Sequence, residues 1–297
     1  VNQMRQPLHF TPLLPMTAPM TQPSPLSDRT ALQRNRSRAC AGRRPAMFLH
    51  ELVADECQQR LNEVNRPFKN PAIVTGFPDF WRRLWPNAKI VADSDLLDLA
   101  PGAHDLVIHA LALHWANDPI GQMVQCRRAL CADGLFLAAL FGGQTLSTLR
   151  TSLAEAEVAV SDGLSPRVLP MAEIRDLGGL LSRAGLAMPV ADALPMRVNY
   201  ANLWALMHDL RAMGETNALT ARLRTPTKRA LFEKAAALYP QDNGRITAEF
   251  DLIFLTGWCP DDSQPKPLRP GSATIHLSEA LRAFEPPPNQ TKTGQND

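Results

Sequence analysis

Apolar and polar positions alternate along this chain in two rhythms, one of helices and one of buried strands. Between Met47 and Val64, Phe48, Leu52, Val53, Leu61 and Val64 recur at helical spacing and predict a helix with one buried stripe. Short apolar runs follow at Pro71–Thr75, which ends at Gly76, and at Lys89–Ala92, which ends in Asp93. The run Asp105–Ala110 has an unbroken apolar centre, the pattern of a strand buried on both faces of a parallel sheet. Asp118 can cap a helix, and Pro119 loses nothing by lacking an N–H in a first turn. They predict a helix with Ile120, Met123, Val124 and Leu130 inward, then a turn at Asp133-Gly134 and a buried strand at Leu135–Phe141. Strand, helix and strand in that order form a right-handed βαβ unit.

Further on, Ile174, Leu177, Leu180 and Leu181 predict a helix within Pro170–Ala184, stopped by Gly185. A short strand is expected within Ala187–Tyr200, helices at Asn202–Met213 and Leu231–Leu238, and a strand at Ile246–Leu255. Residues 1–25 carry six prolines, which defeat a helix, and are expected to be a disordered tail with Met20 as an alternative start. Residues 26–260 read as one domain and 261–297 as a mostly disordered tail rich in proline and polar residues. The six arginines between Asp28 and Arg44 could grip an acidic partner or nucleic acid phosphates, but with no aromatic among them they read as a solvated helix face.

Charge and composition narrow the classes. The 297 residues carry 31 basic and 29 acidic side chains, a net +2, so no global field draws nucleic acid or anionic lipid. The five cysteines form no C-x-x-C pair, which argues for free thiols and against a zinc site or a disulfide framework. No stretch has the ~18 apolar residues of a membrane span, so no membrane insertion and a cytoplasmic location are expected.

The segment H-D-L-V-I-H-A-L-A-L-H-W-A-N-D-P from His104, followed by R-R-A-L-C-A-D-G-L-F-L-A-A-L-F-G-G, resembles the fourth strand, next helix and fifth strand of class I S-adenosyl-L-methionine-dependent methyltransferases. Later pieces narrow this: S-P-R-V at Ser165, D-L-G-G-L-L-S-R-A-G-L at Asp176, D-L-R-A-M-G-E-T-N-A-L at Asp209 and G-W-C-P at Gly257. They resemble bacterial relatives of the methyltransferase-like assembly factor of respiratory complex I, a group close to the malonyl-acyl-carrier-protein methyltransferase of biotin synthesis. The resemblance implies an α/β Rossmann-like fold, mostly parallel with an antiparallel last strand. It also implies S-adenosyl-L-methionine as cofactor, and a respiratory complex subunit or an acyl-carrier-type substrate as partner.

In that fold the first strand ends in an acidic, glycine-rich turn, and an acid closing the second strand holds the ribose. Here the turn reads V-T-G-F-P-D-F-W, with the single Gly76 among bulky residues. Gly76 and Asp105 are 105 − 76 = 29 positions apart, whereas complete crossover units need roughly 50. One N-terminal βα unit is therefore expected to be missing. On this reading the strand before Asp93 matches the third family strand, and Asp93 or Asp95 is an adenine contact.

The resemblance places Gly76, Asp93, Leu111 and Trp115 at the cofactor, and His114, Tyr200 and Arg211 as catalytic candidates. His114 would be a general base and Trp115 a wall for adenine or substrate. Tyr200, Asp209, Arg211 and Asn217 would cover the mouth, with Arg211 pairing a carboxylate or phosphate. Packing beneath the sheet edge, or helix capping and ion pairing, are the ordinary roles for the same residues. His109 and the aromatic group Phe77, Phe80, Trp81 and Trp85 read as core. Two functions follow: an enzyme using S-adenosylmethionine for methyl transfer or arginine hydroxylation, or a pseudoenzyme acting as an assembly chaperone or protein-binding module.

Overall fold

The apolar runs pair into one six-stranded sheet of order β2-β1-β3-β4-β6-β5, formed by β1 Pro71–Thr75, β2 Lys89–Ala92, β3 His104–Ala110, β4 Leu130–Gly142, β5 Ala187–Tyr200 and β6 Ile246–Trp258. β1 to β4 are parallel, and β6 runs antiparallel to both neighbours. This is the mostly parallel α/β sheet with a reversed last strand that the resemblance implies. The computed structural model describes residues 24–264 apart from 43, 44, 65 and 162. The chain divides at Pro260 into two units, and of the second, residues 261–297, only 261–264 are described. The tails expected over residues 1–25 and 261–297 lie almost wholly outside the described residues.

Eight helices among the described residues cover the sheet: α1 Arg29–Ala41, α2 Phe48–Val64, α3 Pro78–Leu84, α4 Pro119–Ala129, α5 Ser147–Val160, α6 Ile174–Arg183, α7 Leu203–Ala212 and α8 Arg229–Leu238. On one face, Val53, Cys57, Trp81, Leu149, Leu206 and Leu231 close over Ile73, Ile108 and Phe254. Met123 and Cys126 of α4 and Leu177 and Leu181 of α6 bury Val74, Val107 and Leu255 on the other. Asp118 caps α4 as its sequence predicts, accepting from the Gly121 amide at 2.8 Å.

Four expectations change. β2 lies directly beside β1, at the place of the second strand in a doubly wound sheet, not the third. The connection through residues 76–88 holds only the short α3, and residues 93–103 return to β3 with no helix at all, so the chain between β1 and β3 carries one strand and one short helix. Asp133-Gly134 turns the chain locally, with Asp133 at φ +55°, but inside β4, which begins at Leu130 and whose ladder breaks between Leu130 and Leu135. β5 is a long edge strand that carries Pro189 and Pro195, which hide it from a periodicity reading and which only an edge tolerates. α5 is an element the sequence reading passed over, although Leu149, Leu153 and Ala156 share its buried side.

Candidate functional site

Two cavities open where open α/β sheets bind ligands, past the carboxyl ends of the strands. The larger, of about 960 Å³, lies beyond β1 and β2 and is lined by Gly76, Phe77, Asp93 and Asp95, by Arg29 and Arg36 of α1, and by Arg82 and Arg83 of α3. This is the cleft a nucleoside cofactor would enter. Its floor is already taken. Arg36 is 5% exposed, and its Nη1 donates to both carboxylate oxygens of Asp93 at 2.8 Å each. Arg29 adds a second guanidinium 3.0 Å from Asp93 Oδ2. A Cβ built on Gly76 would sit 2.3 Å from Arg36 Cζ, so the space that glycine leaves is occupied by the guanidinium. Burial alone would raise the Asp93 carboxyl, but the charges of Arg36 and Arg29 and their hydrogen bonds hold it below the usual carboxylate range. The Phe77 amide, a turn donor that could face a ligand, is spent on Thr75 Oγ1 at 3.1 Å.

These residues do not fit S-adenosylmethionine. Its sulfonium would meet a fixed cation, and its ribose hydroxyls would find an acid whose two oxygens already accept from Arg36.

The second cavity, of about 340 Å³, lies between the ends of β4 and β6 and helices α5, α7 and α8. Its walls are apolar, among them Phe141, Leu149, Met207, Phe232 and Phe250, and Trp115 and Glu215 sit in its lining. Arg167, Arg211 and Arg222 also border it. Glu215 is the polar group of consequence. Its side chain is 11% exposed, and its Oε2 accepts from Trp115 Nε1 at 2.7 Å and lies 3.5 Å from His114 Nε2. Its Oε1 accepts no hydrogen bond among the described residues. Burial pushes this carboxyl up, yet His114, Arg36 and the Trp115 indole together hold it below its ordinary value. Glu215 is therefore a carboxylate in the lining of a largely apolar pocket, with one oxygen that accepts no hydrogen bond among the described residues.

The seven residues singled out from the sequence do not converge on one site. Gly76 and Asp93 do line the first cleft, where the Asp93 carboxylate anchors two arginines. Leu111 follows β3 at φ +46° with a side chain 2% exposed in the core, and it lines neither cavity. Trp115 belongs to the second pocket, not to the cofactor cleft. His114 lies behind Phe141, at 4.8 Å between ring centroids, with a side chain 3% exposed. It lines neither cavity, and its Nε2 stands 3.5 Å from Glu215 Oε2 without a hydrogen-bond partner among the described residues. Tyr200 donates to Asp209 Oδ2 at 2.7 Å and is buried in the core, away from both cavities. Arg211 and Asn217 do reach the mouth of the second pocket.

His109 is a core residue as its place in the strand predicts, fully buried and 2.7 Å from Gln122 Oε1. Phe77, Phe80 and Trp81 pack with His50 of α2 in the core. Arg36 and Glu215 were missed. Arg36 sits in an arginine-rich run that looks like a solvated face, and the only sequence sign of burial is that it falls four residues after Leu32 and three before Ala39, the inner side of α1.

No family model matches this sequence. The fold defines a mostly parallel α/β protein, and individual sequences show what it is similar to. The chain is 43% identical over 180 residues to "Arginine-hydroxylase NDUFAF5, mitochondrial" of Dictyostelium discoideum, covering 59% of this chain and 41% of that one. It is 33% identical over 183 residues to the malonyl-[acyl-carrier protein] O-methyltransferase of Laribacter hongkongensis, covering 60% of each. These are the same two groups that its motifs resemble. The chain thus spans about half the length of the curated relatives it matches. Among solved structures, a phosphoethanolamine N-methyltransferase 2 of Haemonchus contortus shares 12% identity and a TM-score of 0.37, covering 65% of this chain and 49% of that one.

Proposed function

We propose that this protein is a methyltransferase-like factor that receives an arginine side chain of a protein partner, a respiratory complex subunit, in the pocket beside Glu215. The observation that carries this reading is the Glu215 carboxylate, oriented by the hydrogen bond from Trp115, in the lining of a largely apolar cavity with aromatic walls. A guanidinium threading such walls gains contact with ring faces along its length and a charge-assisted hydrogen bond at its end. The name arginine-hydroxylase of the NDUFAF5 relatives points to the same substrate class. No step through S-adenosylmethionine belongs to this reading, because Arg36 and Asp93 hold the floor of its cleft.

Calorimetric titration of the full chain with a short acetylated, amidated arginine peptide tests it. Arginine should bind and its neutral isostere citrulline should not, and Glu215→Gln should weaken arginine by about 10- to 100-fold, the worth of one charged hydrogen bond. Equal binding of citrulline, or unchanged binding by the variant, would refute the reading. A second reading rests on Arg211, exposed at the pocket mouth with Arg167 and Arg222 nearby. Those cations suit an acidic acyl group such as malonyl, as in the name of the second group of relatives. A malonyl-pantetheine titration that responds to Arg211→Ala while arginine peptide does not bind would favour it.

A further inference from the structure

Arg36 lies where a glycine, an acid and a helix end should leave room for a ligand, and no solvent-facing role explains that position. We propose that Arg36 is a permanent internal occupant of the cofactor's place, held by Asp93, and that the stability of the folded chain depends on this pair. This goes beyond the arginine-binding reading and does not rest on what enters the second pocket.

Three observations support it. First, the guanidinium satisfies both features of the cleft at once, the clearance over Gly76 and the two oxygens of Asp93. Second, Arg36 Nε and Nη2 are buried without a hydrogen-bond partner among the described residues, so Asp93 is its main compensation for lost water. Third, α1 is fixed and not poised to swing out. Its cap Asp28 accepts from Ala31 N at 3.0 Å and from Arg222 at 2.8 Å, and Asp28 N donates to Ala218 at 2.7 Å. Leu32 and Ala39 on the same side of the helix are buried, and Gly214 packs on the Arg36 stem, where a Cβ would stand 3.1 Å from its Cγ. A cofactor would have to expel a buried arginine from a pinned helix.

The test is thermal unfolding of the full chain with and without 1 mM S-adenosylhomocysteine or S-adenosylmethionine, beside Asp93→Asn, Arg36→Met and the double variant. A ligand at about a hundred times its Kd would raise Tm by roughly 5–10 °C in a chain of this size. The wild type should show no shift. Asp93→Asn should melt well below wild type, and the double variant should recover much of that loss, because it leaves no unpaired cation buried. A ligand-induced rise in the wild-type Tm would overturn the proposal without needing any variant. So would an Asp93→Asn protein as stable as wild type, the behaviour of an acid that waits for a ribose.

Discussion

Glu157 gives the most informative single substitution, because one carboxylate ties the wall of the second pocket to the helix that frames it. At the end of α5 it is 4% exposed. It accepts from Ser165 Oγ and Arg167 Nη2 at 2.7 Å each, from Arg167 Nε at 2.9 Å and from the Ser165 amide at 3.1 Å. Arg167 in turn donates to Thr227 at 3.0 Å and lines the pocket beside Val168 and Leu169. Removing one partner of a buried pair costs about 3–5 kcal/mol, and because Arg167 is 14% exposed and borders a cavity that admits water, about 2–3 kcal/mol is expected for Glu157→Ala. That corresponds to a Tm lower by roughly 4–12 °C.

Urea unfolding is the assay, with a lower midpoint and an unchanged slope expected at pH 7. The acid limb gives an independent reading. The hydrogen bond from Arg167, against the opposing effect of burial and with help from Ser165, holds the Glu157 carboxyl at about 2, below its ordinary 4.5. A depressed carboxyl contributes its stability in full above its unfolded value and loses it as pH falls through the folded one. The contribution of Glu157 is therefore present above pH 4.5 and lost toward pH 2, and Glu157→Ala should flatten that part of the curve. The variant should also bind arginine peptide more weakly, since the loop it releases carries pocket wall. A midpoint change worth under about 0.5 kcal/mol, the range of an ordinary surface substitution, together with an unchanged acid limb, would refute the reasoning.

Other outcomes follow from the same geometry. Tyr200→Phe should cost about 1–2 kcal/mol through the lost hydrogen bond to Asp209 and leave arginine-peptide affinity unchanged, whereas a catalytic tyrosine would show the reverse in a binding or turnover assay. His50 and His109 are buried and neutral, with burial holding them at about 3 and about 4 against an ordinary 6.5. The unfolded chain then binds more protons below pH 6.5, so stability measured by urea midpoint should fall as pH drops from there toward 4, and a His109→Gln variant should show a shallower fall. Gly214 holds φ +77° against the Arg36 stem, so Gly214→Ala should destabilise by about 1 kcal/mol or more and, by displacing the neighbouring Glu215, weaken the arginine peptide as seen by calorimetry.

The strands and the helix of the central βαβ unit were legible because their signals are local: a continuous apolar run for β3, and an Asp-Pro start for α4. The short connection between β1 and β3 was legible as well, from the span between Gly76 and Asp105, although the place of β2 in the sheet was not, because spacing says how much chain joins two strands and not where the strand between them pairs. β5 was underestimated since two prolines break its pattern while its ladder with β6 supplies the pairing. The site was the least legible part. Arg36 and Asp93 are 57 positions apart, and Glu215 and Trp115 are 100 apart, so each pair forms only when tertiary structure brings it together. His114 and Tyr200 have the chemistry of catalytic residues, but the fold gives each a buried partner and no opening, a distinction that depends on packing and leaves no mark in the sequence.

A paired calorimetric titration of one preparation of the full chain, with S-adenosylmethionine in one syringe and the arginine peptide in the other, bears most directly on the account. Heat of binding from the arginine peptide, lost with Glu215→Gln, and none from the cofactor up to millimolar concentration is the predicted result. Micromolar binding of S-adenosylmethionine with no response to arginine would contradict both the filled cleft at Arg36 and the role given to Glu215.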